Sequence, residues 1–400
     1  MSGDAILIAG AGIGGLTAAL ALQQKGFTVR VFEQAPALGE VGAGLQISAN
    51  GNRVLFALGL EEALKSSAWI PEGKEVRLWN TGETWPLFDL GAVSVERYGF
   101  PYYMLHRADL HTALAQAVLR HDRDCIRLNA RCAGFAQDAD GVRLRLAGGE
   151  SVSGAALIGA DGVHSAIRQA LFGPDKPMFT GIMAWRGIIP ADRLPPGLLR
   201  PVGTNWVGPG GHVIHYFLRR GELVNFVGVR ERADWTIESW TAAGTVAECL
   251  ADFTGWHEDI QTLIRHIETP YKWALMARDP MPRWCVGRVG LLGDACHPML
   301  PFLAHGAHSA IEDGMVLTEC LKSHGRDVPA ALASFEAARR DRTARLMRGS
   351  EANTDLFHNP ALADGKGAAR FIAENWHPDR VSARYDWIFD YDATRMLVPA

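Results

Sequence analysis

The fold is decided near the start of the chain by the stretch Ala5-Ile6-Leu7-Ile8-Ala9-Gly10-Ala11-Gly12-Ile13-Gly14-Gly15. Its first five residues have the length and apolarity of a strand that is buried on both faces. The glycines that follow form a G-x-G-x-x-G pattern, and residues 16–25 repeat apolar side chains at helical spacing. The stretch therefore predicts a strand, a tight turn and a helix, in the order used by dinucleotide-binding units.

Each glycine of this pattern has a distinct predicted task. Gly10 permits the tight turn, Gly12 lets the backbone approach a pyrophosphate, and Gly15 lets the helix pack closely on the strand. The helix N-terminus offers N–H groups and a positive dipole to the phosphates. Residues 28–32 predict a second strand, and Glu33 ends it where an acidic residue binds ribose hydroxyls. A dinucleotide site is therefore predicted at Gly10, Gly12, Gly15 and Glu33.

Bulk properties exclude several other classes of protein. The 400 residues are 48% hydrophobic and 21% charged, with a net charge of −4, so no basic field favours nucleic acid and no basic amphipathic segment favours a membrane surface. The apolar run 5–22 fits the strand, turn and helix better than a signal peptide, because Asp4 and no basic residue precedes it. The six cysteines form no CxxC pair and no zinc-site spacing, which predicts no metal, reduced thiols and a cytoplasmic protein.

Two later strands also end at a carboxylate. The apolar run 155–160 leads to Asp161-Gly162, and the run 289–292 leads to Gly293-Asp294. The second is followed by a proline-rich loop from Pro301 and a helix to about residue 320. This order of elements, a strand, a carboxylate, a rigid loop and then a helix N-terminus, predicts a binding site for a ligand that carries an anionic group. Arg107, at the entry of another predicted helix, either reaches a phosphate or ring edge or lies on the surface.

The middle and the end of the chain differ in pattern. Residues 178–229 alternate between apolar and polar, with turn residues between runs, which predicts an antiparallel sheet that covers a pocket. Residues 328–349 predict a long helix whose arginine run, Arg339 to Arg348, is expected to be a solvated face. The aromatic tail, which includes Tyr385, is expected to be a packed extension or an oligomer contact.

Several side chains are candidates for chemistry. His212 and Tyr216 are four residues apart on a predicted strand, so they share a face, whereas His215 points to the other face. We expect His212 and Tyr216 to face a phenol, because a histidine can accept a proton or pair with a carboxylate near neutral pH. Trp185 either lines the same pocket or packs beneath it. His297, which follows Gly293-Asp294, is either catalytic or a buried residue that orders the loop.

The combined motifs resemble the single-component flavin-dependent aromatic hydroxylases. The resemblance rests on the G-x-G-x-x-G stretch with Glu33, on His106-Arg107-Ala108-Asp109, on Asp161-Gly162 with His164-Ser165, and on Gly293-Asp294 with its loop and helix. These motifs follow the family's order over nearly the whole chain. Within the family, the chain most resembles the salicylate and 3-hydroxybenzoate hydroxylases, with 6-hydroxynicotinate 3-monooxygenase close behind.

The resemblance implies an α/β fold like that of p-hydroxybenzoate hydroxylase. A Rossmann-like FAD-binding domain would span residues 1–177 and 278–350, an inserted antiparallel β-sheet substrate domain residues 178–277, and a helical C-terminal extension residues 351–400. FAD would lie with its adenine end at residues 10–33, with Asp161-Gly162 linked to both FAD and NAD(P)H. Asp294 would contact its ribityl chain, and Pro301, Gly306 and Ala307 would lie by its ring.

The resemblance also implies the reaction. NADH or NADPH would reduce FAD, and O2 would form a C4a-hydroperoxide that hydroxylates a small phenolic acid. The alternatives are decarboxylative hydroxylation of an N-heteroaromatic acid and, in another class, a flavin oxidase or reductase. The oligomeric state is left open, with a homodimer as the candidate. His305 stands where near relatives usually have glutamine, so it is a candidate base, hydrogen-bond partner or specificity determinant.

Overall fold

The computed structural model describes residues 4–39, 43–232 and 242–395. Within these residues the fold has two main regions, each built on a large β-sheet. The first is built on a mostly parallel sheet in the spatial order β17-β18-β11-β1-β2-β7. Its strands are β1 (Ile6–Ala9), β2 (Val29–Phe32), β7 (Ile126–Arg127), β11 (Ala156–Gly159), β17 (Cys285–Val286) and β18 (Val289–Leu291). β1 pairs in parallel with β2 and β11, and β11 pairs in parallel with β18. The strands that precede the three predicted cofactor motifs are therefore neighbours, and their carboxyl ends meet at one edge.

Helices cover this sheet and connect its strands. The helices up to residue 172 are α1 (Ile13–Gln24), α2 (Ala49–Ala57), α3 (Glu61–Ser67), α4 (Gly91–Tyr98), α5 (Arg107–His121) and α6 (Ala166–Phe172). The predicted strand and helix at residues 5–32 are confirmed, as is the helix that begins at Arg107. Gly44–Ile47 forms β3, which pairs with β6 (Tyr103–His106).

A second, twisted sheet stands over this edge. Its order is β16-β12-β15-β14-β13-β4-β5. The strands are β4 (Gly73–Leu78), β5 (Thr84–Asp89), β12 (Met178–Pro190), β13 (Gly203–Gly208), β14 (Gly211–Leu218), β15 (Leu223–Glu231) and β16 (Tyr271–Ala277). The antiparallel pairing predicted within residues 178–229 is confirmed. β4 and β5 form a hairpin that joins this sheet through a parallel β4–β13 pair, so the sheet is mixed.

A small hairpin sheet and the remaining helices complete the described fold. The hairpin sheet comprises β8 (Cys132–Gln137), β9 (Val142–Leu146) and β10 (Ser151–Gly154). The helices are α7 (Val246–Asp252), α8 (Glu258–Arg265), α9 (Gly306–His324), α10 (Val328–Phe357), α11 (Gly365–Asn375) and α12 (Pro378–Phe389). α10 runs eight residues beyond its predicted end at residue 349. The predicted packing of the C-terminal tail is confirmed, because Ile388 and Phe389 are buried against the second sheet and α10.

The arginine run of α10 is only partly solvated, which corrects its interpretation as a solvated face. The Arg339 side chain is fully buried and pairs with Asp313 and Glu312 of α9, and Arg342 pairs with the same Glu312. The Arg340 side chain is 43% exposed. The two buried acids on α9 therefore determine which arginines of α10 face inward. The sequence of α10 alone does not show where these acids lie.

Candidate active site

The glycine turn has the geometry that its three predicted tasks require. Gly10 has φ +100°, and a Cβ there would lie 2.4 Å from the Ala160 carbonyl oxygen. A Cβ on Gly15 would lie 2.1 Å from the Gly10 carbonyl oxygen, so helix and strand approach too closely for any side chain. A Cβ on Gly12 would meet nothing within 4 Å. The backbone at Gly12 is therefore open to a ligand, as a pyrophosphate site requires.

Glu33 holds this turn in place. Its carboxylate accepts a hydrogen bond from the Ala11 N–H and another from the Ala35 N–H, both at 2.8 Å. The acid at the end of β2 thus positions the loop whose amides face the phosphates. Its predicted contact with the ribose stays a prediction.

The two residues of the Asp161-Gly162 motif have different roles. The Asp161 carboxylate accepts hydrogen bonds from the Ser165 hydroxyl and the Ile167 N–H at the start of α6, and burial raises the pKa of Asp161. Gly162, at φ +74°, lines a long cleft at the carboxyl edge of the first sheet. The carboxylate therefore supports the turn, while the glycine faces the cleft.

This cleft runs from the glycine turn to the underside of the second sheet. It brings together the predicted cofactor residues Gly12, Gly162, Gly293, Asp294, Pro301, Gly306 and Ala307. Ala304, at φ +56°, turns the chain into α9, and no side chain caps the first amides of that helix. An uncapped helix N-terminus favours an anionic group. The open glycine turn at one end and the open amides at the other fit an extended dinucleotide with a flavin ring.

Arg107 faces the cleft, which decides between its two interpretations. Its side chain is among those that line the cleft. Arg186 of β12 lines the same space, and burial, with a smaller effect of Arg107, lowers the pKa of Arg186 to about 10. Two guanidinium groups on one cleft make its wall attractive to anions.

The alternation predicted along β14 is observed. His212 and Tyr216 line the cleft beneath the second sheet. His215 faces away, where its Nε2 accepts a hydrogen bond of 3.0 Å from the Trp206 indole, and burial lowers the pKa of His215 to about 3. His212 and Tyr216 are therefore placed as their predicted roles require, and those roles stay predictions.

Trp185 lies on the face of the second sheet that points away from the cleft. This is the second of its two predicted positions, in which it packs beneath the pocket. Its indole donates to Asp252 at 2.7 Å, and its ring packs with the residues of α7 and α8. Because neighbouring residues on a strand point to opposite faces, the cleft instead receives Arg186. The assignment of Trp185 to substrate binding does not match this position.

His297 also lies outside the cleft, behind the loop. Its Nε2 is 2.5 Å from an Asp313 oxygen that also accepts the Gly293 N–H. The neighbouring Cys296 completes a trio of metal-ligand types, but the Arg339 guanidinium already contacts the other Asp313 oxygen at 2.7 Å. A metal ion at this trio would be repelled by the Arg339 guanidinium. We therefore assign to His297 the structural role of ordering the Gly293-Asp294 turn through Asp313.

His305 lies in the cleft at the start of α9. Its Nδ1 donates to the Leu303 carbonyl oxygen, which leaves Nε2 as an acceptor near the Ser48 hydroxyl at 3.4 Å. Its ring stacks on His308 with 4.2 Å between centroids. Burial lowers the pKa of His305 to about 4. Because the Leu303 carbonyl oxygen holds the Nδ1 proton, His305 can accept a hydrogen bond only at Nε2, and its roles as base, hydrogen-bond partner or specificity determinant stay predictions.

The sequence missed two further lining residues. Lys74 enters the cleft from β4, and Tyr385 from α12. The Lys74 ammonium lies 4.9 Å from the ring centroid of Tyr102 and 5.7 Å from that of Phe88. Among the described residues no acid pairs with it, and burial lowers its pKa to about 7. β4 joins the second sheet through its pairing with β13, a contact between distant parts of the chain that no local pattern predicts.

Comparison with known proteins identifies the family. The model of the FAD binding domain family matches residues 4–350. The chain belongs to this family. A 3-amino-4-hydroxybenzoate 2-monooxygenase, PtnB3 of Streptomyces platensis, is 40% identical over 97% of this FAD-binding chain and 96% of its own length. A 6-hydroxynicotinate 3-monooxygenase of Pseudomonas fluorescens is 36% identical over 88% of this chain and 92% of its own length.

A solved structure agrees with this assignment. Klebsiella pneumoniae HpxO, complexed with FAD and uric acid, superposes on this FAD-binding chain with a TM-score of 0.84 at 27% identity. The match covers 98% of each chain. The predicted fold, the FAD cofactor with its NAD(P)H co-substrate, and the class of FAD-dependent aromatic monooxygenase are confirmed. No helix among the described residues is long and apolar enough to cross a membrane.

Proposed function

We propose that the enzyme hydroxylates a small aromatic acid that carries a hydroxyl or amino group. The observation that carries the proposal is the lining of the cleft beneath the second sheet. There Phe302, Val227 and Val229 form an apolar slot beside His212, Tyr216 and Lys74. Apolar walls with a few convergent polar groups suit a substituted aromatic ring.

The chain's own residues would hold the cofactor from two ends. Gly12 and Arg107 would contact its phosphates, Asp294 its ribityl chain, and the amides of Gly306 and Ala307 the anionic edge of its ring. When bound, FAD supplies the redox chemistry that activates O2 at the expense of NAD(P)H. The protein's tasks are to orient the substrate, to accept its phenolic proton and to exclude water.

Lys74 is our candidate for the residue that binds the substrate carboxylate. Its amino group lines the cleft over two aromatic rings and has no acidic partner among the described residues. Nearby Glu75 cannot neutralise it well, because its carboxylate already binds the Thr204 hydroxyl and Arg200. An anionic substrate would supply the missing charge.

Replacing Lys74 by methionine is expected to raise the Kd for an aromatic acid by roughly 30-fold, the loss of about 2 kcal/mol from one charge-assisted hydrogen bond. With the Lys74 pKa at about 7, the wild-type Kd should rise roughly tenfold per pH unit above that value, since binding then requires proton uptake. Flavin fluorescence titration from pH 6 to 9 measures both effects. Lys65→Met, on the exposed α3, is the matched control and should change neither.

The proposed reaction is tested by offering the FAD-loaded enzyme a panel of hydroxylated and aminated benzoates and nicotinates. We expect at least one acid to stimulate NADH or NADPH oxidation and to yield a product heavier by one oxygen atom. Peroxide as the only product for every acid would instead support a flavin oxidase. Loss of CO2 with a hydroxynicotinate would favour the second candidate, decarboxylative hydroxylation, which the 36% identical relative supports.

His305→Gln restores the residue usual in near relatives and is expected to change catalysis more than folding. The glutamine amide cannot stack on His308, so the geometry beside the flavin ring should shift. We expect a several-fold change in the ratio of hydroxylated product to NADH consumed, with the thermal midpoint within about 3 °C. Unchanged coupling and substrate preference would remove His305 from the site.

Three further assignments complete the proposal. The domain boundaries at residues 178 and 277 are retained for the inserted substrate sheet, to which the β4–β5 hairpin contributes. The six cysteines are free thiols, which supports a cytoplasmic location. A homodimer is proposed as the oligomeric state, and sedimentation of the FAD-loaded enzyme tests it.

A further inference from the structure

A chain of three side chains leads from the cleft beneath the second sheet to the protein surface. His212 Nδ1 lies 2.7 Å from His358 Nε2, and His358 Nδ1 lies 3.0 Å from Glu231 Oε1. The two histidine side chains are buried, whereas the Glu231 side chain is 52% exposed. The chain thus joins a residue that lines the cleft to one that exchanges protons with water.

Chemistry fixes the direction of each hydrogen bond in this chain. An ionised carboxylate only accepts, so His358 must carry its proton on Nδ1 and present Nε2 as an acceptor. His212 must then donate from Nδ1, which leaves its Nε2 as an acceptor. That Nε2 has no hydrogen-bond partner among the described residues, and His212 lines the cleft. The carboxylate at the surface therefore sets which nitrogen His212 offers to the substrate.

The surroundings hold both rings in place. The His212 ring is packed edge-on against Phe302 and Phe357, with centroids 5.0 and 5.1 Å away. His358 ends α10, and its carbonyl oxygen accepts the Gly210 N–H at 3.1 Å. Arg230 and Asp355 are the other charged groups that act on His358, and they oppose each other. Neither ring can turn without breaking these contacts.

We propose that His358 and Glu231 are positioning residues that fix the acceptor tautomer of His212 and conduct the substrate's phenolic proton to solvent. This inference rests on the proposed function. The substrate O–H bond breaks as a proton moves to His212 Nε2. The Nδ1 proton of His212 moves to His358 Nε2, and the Nδ1 proton of His358 moves to Glu231 and then to water. One proton leaves the cleft, the phenolate keeps the electron pair, and no oxidant is needed.

The first test measures the tautomers directly and needs no turnover. Long-range ¹H–¹⁵N NMR of the histidine rings in the FAD-loaded enzyme should find His212 and His358 both protonated on Nδ1. Glu231→Leu should shift His358, and His212 with it, toward the other tautomer, whereas Glu222→Leu at the opposite end of β15 should not. Nε2-protonated His212 in the wild-type enzyme would overturn the inference, whether or not any acid is hydroxylated.

The second test measures proton transfer with 4-hydroxy-3-nitrobenzoate, whose phenolate is coloured. Difference spectra of the bound acid against pH should give a phenol pKa roughly one unit lower in Glu231→Gln than in the wild type, because the substitution removes a negative charge and allows His212 to donate from Nε2 to the phenolate. His358→Gln, which keeps a hydrogen bond to His212 but cannot relay a proton, should slow phenolate formation roughly 100-fold. Glu231→Asp should recover part of the effect. Unchanged pKa and rate in both variants would overturn the relay, even where hydroxylation itself proceeds.

Discussion

Gly12→Val is expected to fold as the wild type does and to purify without bound flavin. A Cβ at residue 12 meets nothing within 4 Å, and the backbone there is extended at φ −72°, so valine fits the protein. The side chain would instead occupy the space through which the backbone approaches the pyrophosphate. We expect FAD to bind at least roughly 100-fold more weakly, a loss of about 2.8 kcal/mol.

Fluorescence titration of the FAD-free protein measures this affinity, and far-ultraviolet circular dichroism measures folding. Gly148→Val is the matched control, because its Cβ also meets nothing within 4 Å but lies in the remote β9–β10 turn. The control should bind FAD as the wild type does. A Gly12→Val protein that retains wild-type affinity would contradict the placement of the phosphates at this turn.

Arg339→Met is expected to destabilise the fold more than any neighbouring change in α10. The substitution would leave Asp313 and Glu312 buried with fewer partners, since Arg339 pairs with both. Removing one member of a buried ion cluster costs about 3–5 kcal/mol. Asp313 also binds the Gly293 N–H and His297, so the turn that presents Asp294 should loosen and FAD affinity should fall too.

Arg340→Met provides the matched control one residue along the same helix. The Arg340 side chain is 43% exposed, and its ion pair is with the adjacent Asp341 at the surface. The free energy of unfolding, measured by urea titration of the FAD-free proteins, should change by less than about 0.5 kcal/mol for this variant. Equal effects of the two substitutions would refute the buried cluster.

Local sequence patterns were sufficient for the cofactor half of the site. The tasks of Gly10 and Gly15 follow from close approaches between residues near in sequence or in neighbouring strands, and the structure has those approaches, whereas the predicted task of Gly12 matches the open space beside its backbone. The shared face of His212 and Tyr216 follows from strand geometry alone. In both cases short-range geometry decides where the atoms lie.

The substrate half depended on contacts between distant parts of the chain. Lys74 reaches the cleft because its hairpin pairs in parallel with β13, about 130 residues later. His358 meets His212 because α10 extends beyond its predicted end. Arg339 is buried because two acids of α9 face it. The hydrophobic periodicity of a segment does not indicate which distant residues it will contact. The burial and the polar partners of these three side chains could therefore be assigned only from the structure.

The two ends of the chain thus form one cleft. The glycine turn and the α9 N-terminus fit an extended FAD, and we propose that the aromatic acid binds beneath the second sheet, beside the flavin ring. Supplying the FAD-loaded enzyme with NADH or NADPH, an active aromatic acid and ¹⁸O2 tests this account most directly. We predict a product that carries one ¹⁸O atom on the ring for each nicotinamide oxidised. Nicotinamide oxidation that yields labelled peroxide, with the acid returned unlabelled, would contradict it.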